Sequence, residues 1–133
     1  MTYYMDSCTV ITIFNGNSVK AAAKLNSLSP NEVKIPSMVR GEILTGVYKN
    51  RRAERKLESI TRILAPFETI PFDLNASEMY ARIRADLEMK GNTIGPKDMI
   101  IAATVLSRGG ILVTENTKEF RRVEGLHVEN WCE

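Results

Sequence analysis

Short apolar runs alternating with stretches of helical spacing leave this chain few ways to fold. Tyr3-Tyr4-Met5, Val33-Lys34-Ile35, Thr69-Ile70, Ile111-Leu112-Val113 and the segment around Leu126-His127-Val128 read as strands, bounded by Asp, Pro or Gly. Between them Ser18 caps a helix carrying Val19, Ala22 and Leu25, closed by Ser29-Pro30. Ser37 is placed to cap the next, whose apolar stripe holds Met38, Val39, Ile43 and Val47. After the break at Asn50-Arg51-Arg52 a further helix runs to about Leu64. The spacing of Met79, Tyr80, Ile83 and Leu87 predicts a helix from Asn75 to Lys90, stopped by Gly91. Gly95-Pro96 opens another, and Met99 to Leu106 is apolar nearly all round, so that helix is expected to be buried. Gly109-Gly110 ends it, and a short helical turn near Lys118 to Arg121 precedes the last strand. Thr9 to Phe14 is apolar and broken by Asn15-Gly16-Asn17, too short for periodicity to assign. Alternation of this kind favours a central parallel sheet of four to five strands covered on both faces, an α/β/α sandwich. At 133 residues, a single domain over 1–133 is expected.

Composition removes several function classes. Eighteen basic against sixteen acidic residues give a net charge of +2, too mild to announce nucleic-acid binding alone. Cys8 and Cys132 are the only cysteines and lack paired spacing, and His127 is the only histidine. A disulfide framework, a zinc site and most histidine-based triads are therefore disfavoured. The first residues lack the order of a signal peptide, and no apolar run approaches the ~20 residues of a membrane span. A reducing cytoplasm is the expected setting.

In open parallel sheets ligands gather outside the carboxyl ends of the strands, where strand order reverses. Asp6 follows the first strand, and Thr114-Glu115-Asn116 follows Ile111-Leu112-Val113. Glu42 shares the inward stripe of its helix, where a carboxylate is costly unless paired, protonated or bound to a cation. Asp98 lies one turn inside the start of the apolar helix. Taken singly each acid has an ordinary role: Asp98 as a partner of the helix dipole, Asp6 as a turn former, Glu42 as a partner of Arg40. Together they point to a convergent acidic pocket. Such a cluster repels itself, and all-oxygen ligation of Mg²⁺ or Mn²⁺ relieves the conflict. The chemistry this supports is phosphodiester hydrolysis by metal-activated water. Among basic residues, Arg51, Arg52, Arg55 and Lys56, and likewise Arg82, Arg84 and Lys90, read as solvated helix faces before they read as an RNA path. Arg121 and Arg122 stand nearer the expected pocket and are the better RNA-binding candidates.

The same residues resemble a family. Met5-Asp6-Ser7, Arg40-Gly41-Glu42-Ile43 with Gly46, Ile94-Gly95-Pro96-Lys97-Asp98 followed by Ile101-Ala102-Ala103, Leu112 through Phe120, and Val128-Glu129-Asn130-Trp131 are similar, in order and spacing, to VapC-type PIN-domain toxins. The resemblance runs nearly end to end. It implies a PIN-like fold and an endoribonuclease of a toxin–antitoxin pair that uses Mg²⁺ or Mn²⁺ to cut structured RNA. That RNA is often tRNA, and initiator tRNA in the subgroup that looks closest. It places Asp6, Glu42 and Asp98 at the metal-binding positions and Asn116 at the fourth acidic position. Ser7, Thr114 and Glu119 become supporting residues. It also implies a VapB-type antitoxin docking on apolar helical surface such as Val10, Ile13, Phe14 and the helix from Ser37 to Lys49, and a homodimer. The family usually reads Asp-Thr-Asn after the first strand, whereas this chain reads Asp6-Ser7-Cys8, exchanging an amide for a weakly bonding thiol. Cys8 and Asn116 motivate one rival, a catalytically weak PIN module that binds RNA or antitoxin without cutting. A phospho-acceptor receiver domain is the other, and it ranks last because no acid adjoins Asp6. Cys8 itself is expected to be packed and inert, for no base stands near it in sequence.

Overall fold

The apolar runs pair into one sheet, seen in a computed structural model that describes all 133 residues. Its strands are β1 (Tyr3–Met5), β2 (Val33–Pro36), β3 (Glu68–Ile70), β4 (Ile111–Val113) and β5 (His127–Glu129). All pairings are parallel, in the order β3-β2-β1-β4-β5. The helices are α1 (Ser7–Phe14), α2 (Val19–Asn26), α3 (Ser37–Tyr48), α4 (Ala53–Leu64), α5 (Leu74–Met89), α6 (Pro96–Arg108) and α7 (Thr117–Phe120). They flank the sheet in the PIN-like α/β/α arrangement expected from the alternation.

β1 is the central strand because both its faces are apolar and all three of its residues are buried. It takes β2 on one side and β4 on the other, in the register Tyr3 with Ile111 and Met5 with Val113. Strand order therefore reverses beside β1, and the crevice at its carboxyl end lies between Asp6 and Thr114. α6 buries Met99 and the run from Ile101 to Val105, which matches its nearly uniform apolar sequence. It ends at Gly109, whose φ of 72° is the left-handed conformation that glycine adopts cheaply. Gly110 then passes so close to Tyr4 that a Cβ there would run into the tyrosine ring.

Some boundaries differ from the sequence-based expectation. Thr9 to Phe14 belongs to a helix, α1, with Asp6 as its N-cap. Ser37 is not a cap but the first residue of α3, because the chain stays extended only through Pro36 and makes no side-chain cap there. Ser29 caps a 3₁₀ turn at Pro30–Glu32 rather than closing α2, which ends at Asn26. Asp73 caps α5 by accepting from the Ala76 N–H, so that helix starts one residue before Asn75. No helix is long and apolar enough to cross a membrane.

Candidate active site

Asp6 is the hub of the crevice. Its backbone N–H donates to the Val113 carbonyl, which extends the β1–β4 ladder one residue beyond the strands. Its side chain is 6% exposed. Oδ1 accepts the Ser7 N–H at 2.8 Å and so caps α1, while Oδ2 accepts the Thr114 hydroxyl at 2.8 Å. The ordinary role of a turn-forming Asp and the role of a site acid thus fall on the same residue. Ser7 supports Asp6 through its backbone rather than through its hydroxyl. Thr114, fully buried, also accepts the Asn116 N–H at 3.0 Å, so one hydroxyl ties the first strand's acid to the loop after β4.

Cys8 fills the space where the family pattern has an amide. Its sulfur lies 3.5 Å from Asp6 Oδ2 and 3.5 Å from Thr114 Oγ1, and it accepts the Glu115 N–H at 3.5 Å. Each contact is weak, yet together they keep the β1–β4 junction bridged. Burial and the neighbouring Asp6 charge push the Cys8 thiol above its ordinary value, which keeps it protonated near neutrality.

Glu42 reaches the crevice from α3, and its Oε1 is buried with no hydrogen-bond partner. An unpaired carboxylate oxygen in that position costs free energy unless a cation or a proton meets it. Burial first, and then the Asp6 charge, push Glu42 above the usual carboxylate range, while Lys97 pulls it back. Asp98, in the first turn of α6, is pushed up to about 6 by burial and then by the charges of Asp6, Glu119 and Glu42. Asn116 Nδ2 donates to Glu119 Oε2 at 3.2 Å, so the amide orients that carboxylate. The acids named from the sequence therefore act on one another electrostatically. No three acidic, thiol or imidazole side chains stand gathered as a ready-made ligand set. The oxygen-only donors, their mutual repulsion and the orphaned Glu42 Oε1 fit a hard divalent cation.

The basic candidates separate. Arg122 donates to the Thr93 carbonyl at 2.8 Å and ties the loop before α6 to the segment after α7. Arg121 is exposed and free of ion pairs. An open hollow of about 600 Å³ at Arg51 to Arg55 lies away from the acids, whereas a hollow of about 350 Å³ opens directly beside Glu42. Sequence reasoning passed over Lys97, which lines that second hollow, and gave Arg122 no structural role. The signal for Lys97 was present: a lysine in a helix's first turn, where the dipole favours an anion.

The raised acids set a pH dependence in the absence of divalent cations. Asp98 takes up its proton near pH 6 in the folded chain, against an ordinary 3.8, so between those values the folded state binds more protons than the unfolded one. Stability therefore falls as pH rises through that window, and Glu42 acts in the same direction. Denaturant melts in EDTA are expected to show a loss on the order of 1–2 kcal/mol from pH 5 to pH 7.5, after allowing for solvent screening. Asp98→Asn should flatten that slope. A chain that gains stability across the window, with a slope Asp98→Asn leaves intact, would mean that other groups compensate these charges.

Comparison with known proteins places the chain in a family. The PIN domain family model matches residues 3–126. The tRNA(fMet)-specific endonuclease VapC of Salmonella typhimurium is 30% identical over 132 residues, covering 99% of both chains. That of Shigella flexneri is 35% identical over 124 residues, covering 92% of this chain and 94% of its own. A crystal structure of VapBC2 from Rickettsia felis bound to a promoter DNA fragment superposes with a TM-score of 0.92 at 31% identity, covering 98% of this chain and 99% of that one.

Proposed function

The chain belongs to the PIN-domain family of VapC ribonucleases, and from that premise we propose that it is the toxin endoribonuclease of a VapBC-type pair, hydrolysing RNA with the help of Mg²⁺ or Mn²⁺. The observation that carries the metal requirement is Glu42 Oε1, buried and unpartnered among acids that raise one another. Asp6, Glu42 and Asp98 would hold the cation. When bound, a divalent cation lowers the pKa of water and stabilises charge on a phosphodiester.

The chain's own residues supply positioning. Thr114 and the Ser7 N–H fix both oxygens of Asp6 at the mouth of the crevice. Asn116 orients Glu119, whose charge is one of those that raise Asp98. In this reading Asn116 stands at the fourth position as an orienting residue, and the hydrogen bond to Glu119 supports that carboxylate as the acid it presents. Cys8 keeps its bridge between β1 and β4, which weighs against the non-cutting rival that its presence suggested.

The proposed substrate is tRNA, and initiator tRNA in particular, supported by the tRNA(fMet)-specific endonuclease activity for which the Salmonella and Shigella relatives are named. The proposed partner is a VapB-type antitoxin, supported by the complexes in which the structural neighbours are found. A groove between α1, α3 and α4, lined by Ile11, Phe14, Ile43, Val47 and Ile60, offers it an apolar seat. Val10 does not line that groove; it faces a smaller apolar hollow with Ile13, Leu25 and Ile35. Pairing of two copies rests on the prevalence of symmetric dimers alone, and action in the cytoplasm on where tRNA resides.

Purified chain incubated with total tRNA is expected to cleave in Mg²⁺ or Mn²⁺ and to lose at least about 10²-fold in rate with EDTA, the scale on which electrostatic stabilisation of charge acts. Restoring Mn²⁺ should restore cleavage. Cleavage undiminished in EDTA would remove the metal-dependent reading, and tight antitoxin binding without any cleavage would favour the non-cutting module.

A further inference from the structure

Lys97 is the one group of the acidic crevice whose charge has the opposite sign. It lies in the first turn of α6, immediately before Asp98, and lines the hollow of about 350 Å³ with Met38, Gly41, Glu42 and Thr45 of α3. Lys97 is exposed, and none of the chain's ion pairs involves it. On these helices Arg62 pairs with Glu58, Arg84 with Glu88 and Arg108 with Asp73, while Arg55, Lys56 and Arg82 stand, like Lys97, outside every ion pair; Lys97 differs from those three in lining the hollow beside Glu42. Local helix stability does not explain Lys97 either, since the macrodipole at an N-terminus disfavours a cation. Opposite it, Gly41 presents a surface on which an added Cβ would meet nothing within 4 Å, so the approach from solvent is unobstructed.

We propose that Lys97 is a substrate-binding residue that holds a phosphate of the RNA backbone at the mouth of the hollow, next to the phosphodiester presented to Asp6, Glu42 and Asp98. The need for such a group follows from charge. An acidic pocket repels a polyanion, and a bound divalent cation neutralises only part of that repulsion at the reacting phosphate. A lysine on a flexible stem, free of protein partners, meets the phosphate without first breaking an ion pair. It would act on the substrate backbone and not on base identity, because phosphate contacts position a nucleic acid without reading its sequence.

This inference rests on the ribonuclease reading for its kinetics, so the test pairs cleavage with binding of an RNA that cannot be cut. Lys97→Met and Lys97→Arg would be measured against wild type with tRNA in Mn²⁺, and by titration with a 2′-O-methyl anticodon stem-loop across a salt series. Lys97→Met is expected to raise KM about tenfold, the loss of one charge-assisted hydrogen bond at an open surface, with a smaller change in kcat. It should also flatten the slope of log affinity against log salt by about 0.7, the signature of one phosphate contact to a single strand. Lys97→Arg should recover most of both. A merely structural lysine would not move the salt slope. Unchanged KM and slope in Lys97→Met would overturn the proposal, as would a changed Mn²⁺ requirement with unchanged RNA affinity, which would make Lys97 a neighbour of Glu42 only. If wild type fails to cleave yet Lys97→Met still weakens and flattens stem-loop binding, the nuclease reading falls while the phosphate contact stands.

Discussion

Asp6→Asn is expected to lower RNA cleavage about 10³-fold, the scale on which single groups at an active centre act, while thermal stability in EDTA stays level or rises. The two effects separate because Asp6 has two duties. As the N-cap of α1 it accepts the Ser7 N–H, and asparagine caps helices as well as aspartate does. The amide can also face the Thr114 hydroxyl, which has lone pairs to accept from it. What is lost is the charge. That charge contributes to raising both Glu42 and Asp98, so removing it relieves repulsion in the cation-free chain and removes a ligand from the loaded one. Cleavage assays with Mn²⁺ and thermal melts in EDTA check the pair. Activity within tenfold of wild type, or a fall of several degrees in Tm, would show that Asp6 is chiefly structural.

Phe120→Ala is expected to cost about 3–5 kcal/mol, the range for deleting a fully buried aromatic side chain, and to lower Tm by roughly 10–20 °C for a domain of this size. Phe120 is 0% exposed and closes α7, a helix of 4 residues that cannot stand on its own hydrogen bonds. Its ring anchors the segment that carries Asn116 and Glu119. Cleavage should therefore fall as well, because Glu119 loses its fixed place beside Asp98. Urea unfolding measures the first effect. A loss below about 1 kcal/mol would mean that the neighbouring side chains collapse into the space almost completely.

The parts of this molecule legible in its sequence are those where one pattern had one meaning. β1, β4 and α6 stand where continuous apolar runs ended at Asp6, Thr114 and Gly109. Glu42 was legible because a carboxylate on the stripe of Val39, Ile43 and Val47 needs an explanation, and its orphaned Oε1 is that explanation made visible. Asp98 was less so, since a first-turn acid has an ordinary helical reason to be there. α1 escaped assignment because a short apolar run has no measurable period, and only the Asp6 cap identifies its start. The work of Cys8, Arg122 and Asn116 was not legible at all. Each depends on a partner distant along the chain or on a backbone group that sequence does not name: Thr114 for Cys8, the Thr93 carbonyl for Arg122, the orientation of Glu119 for Asn116.

The strand order also governs when during synthesis this site comes into being. β1 is made first, yet one of its two neighbours, β4, is made last but one, and the Thr114 hydroxyl that fixes Asp6 follows it by 108 residues. At ~5–20 residues per second, roughly 5–20 seconds pass between the two. Throughout that interval β1 lacks half its pairing, Asp98 has yet to be added for most of it, and the crevice does not exist. A chain ended before β4 therefore lacks both the second neighbour of β1 and the hydroxyl that fixes Asp6, so its acids have no crevice to share.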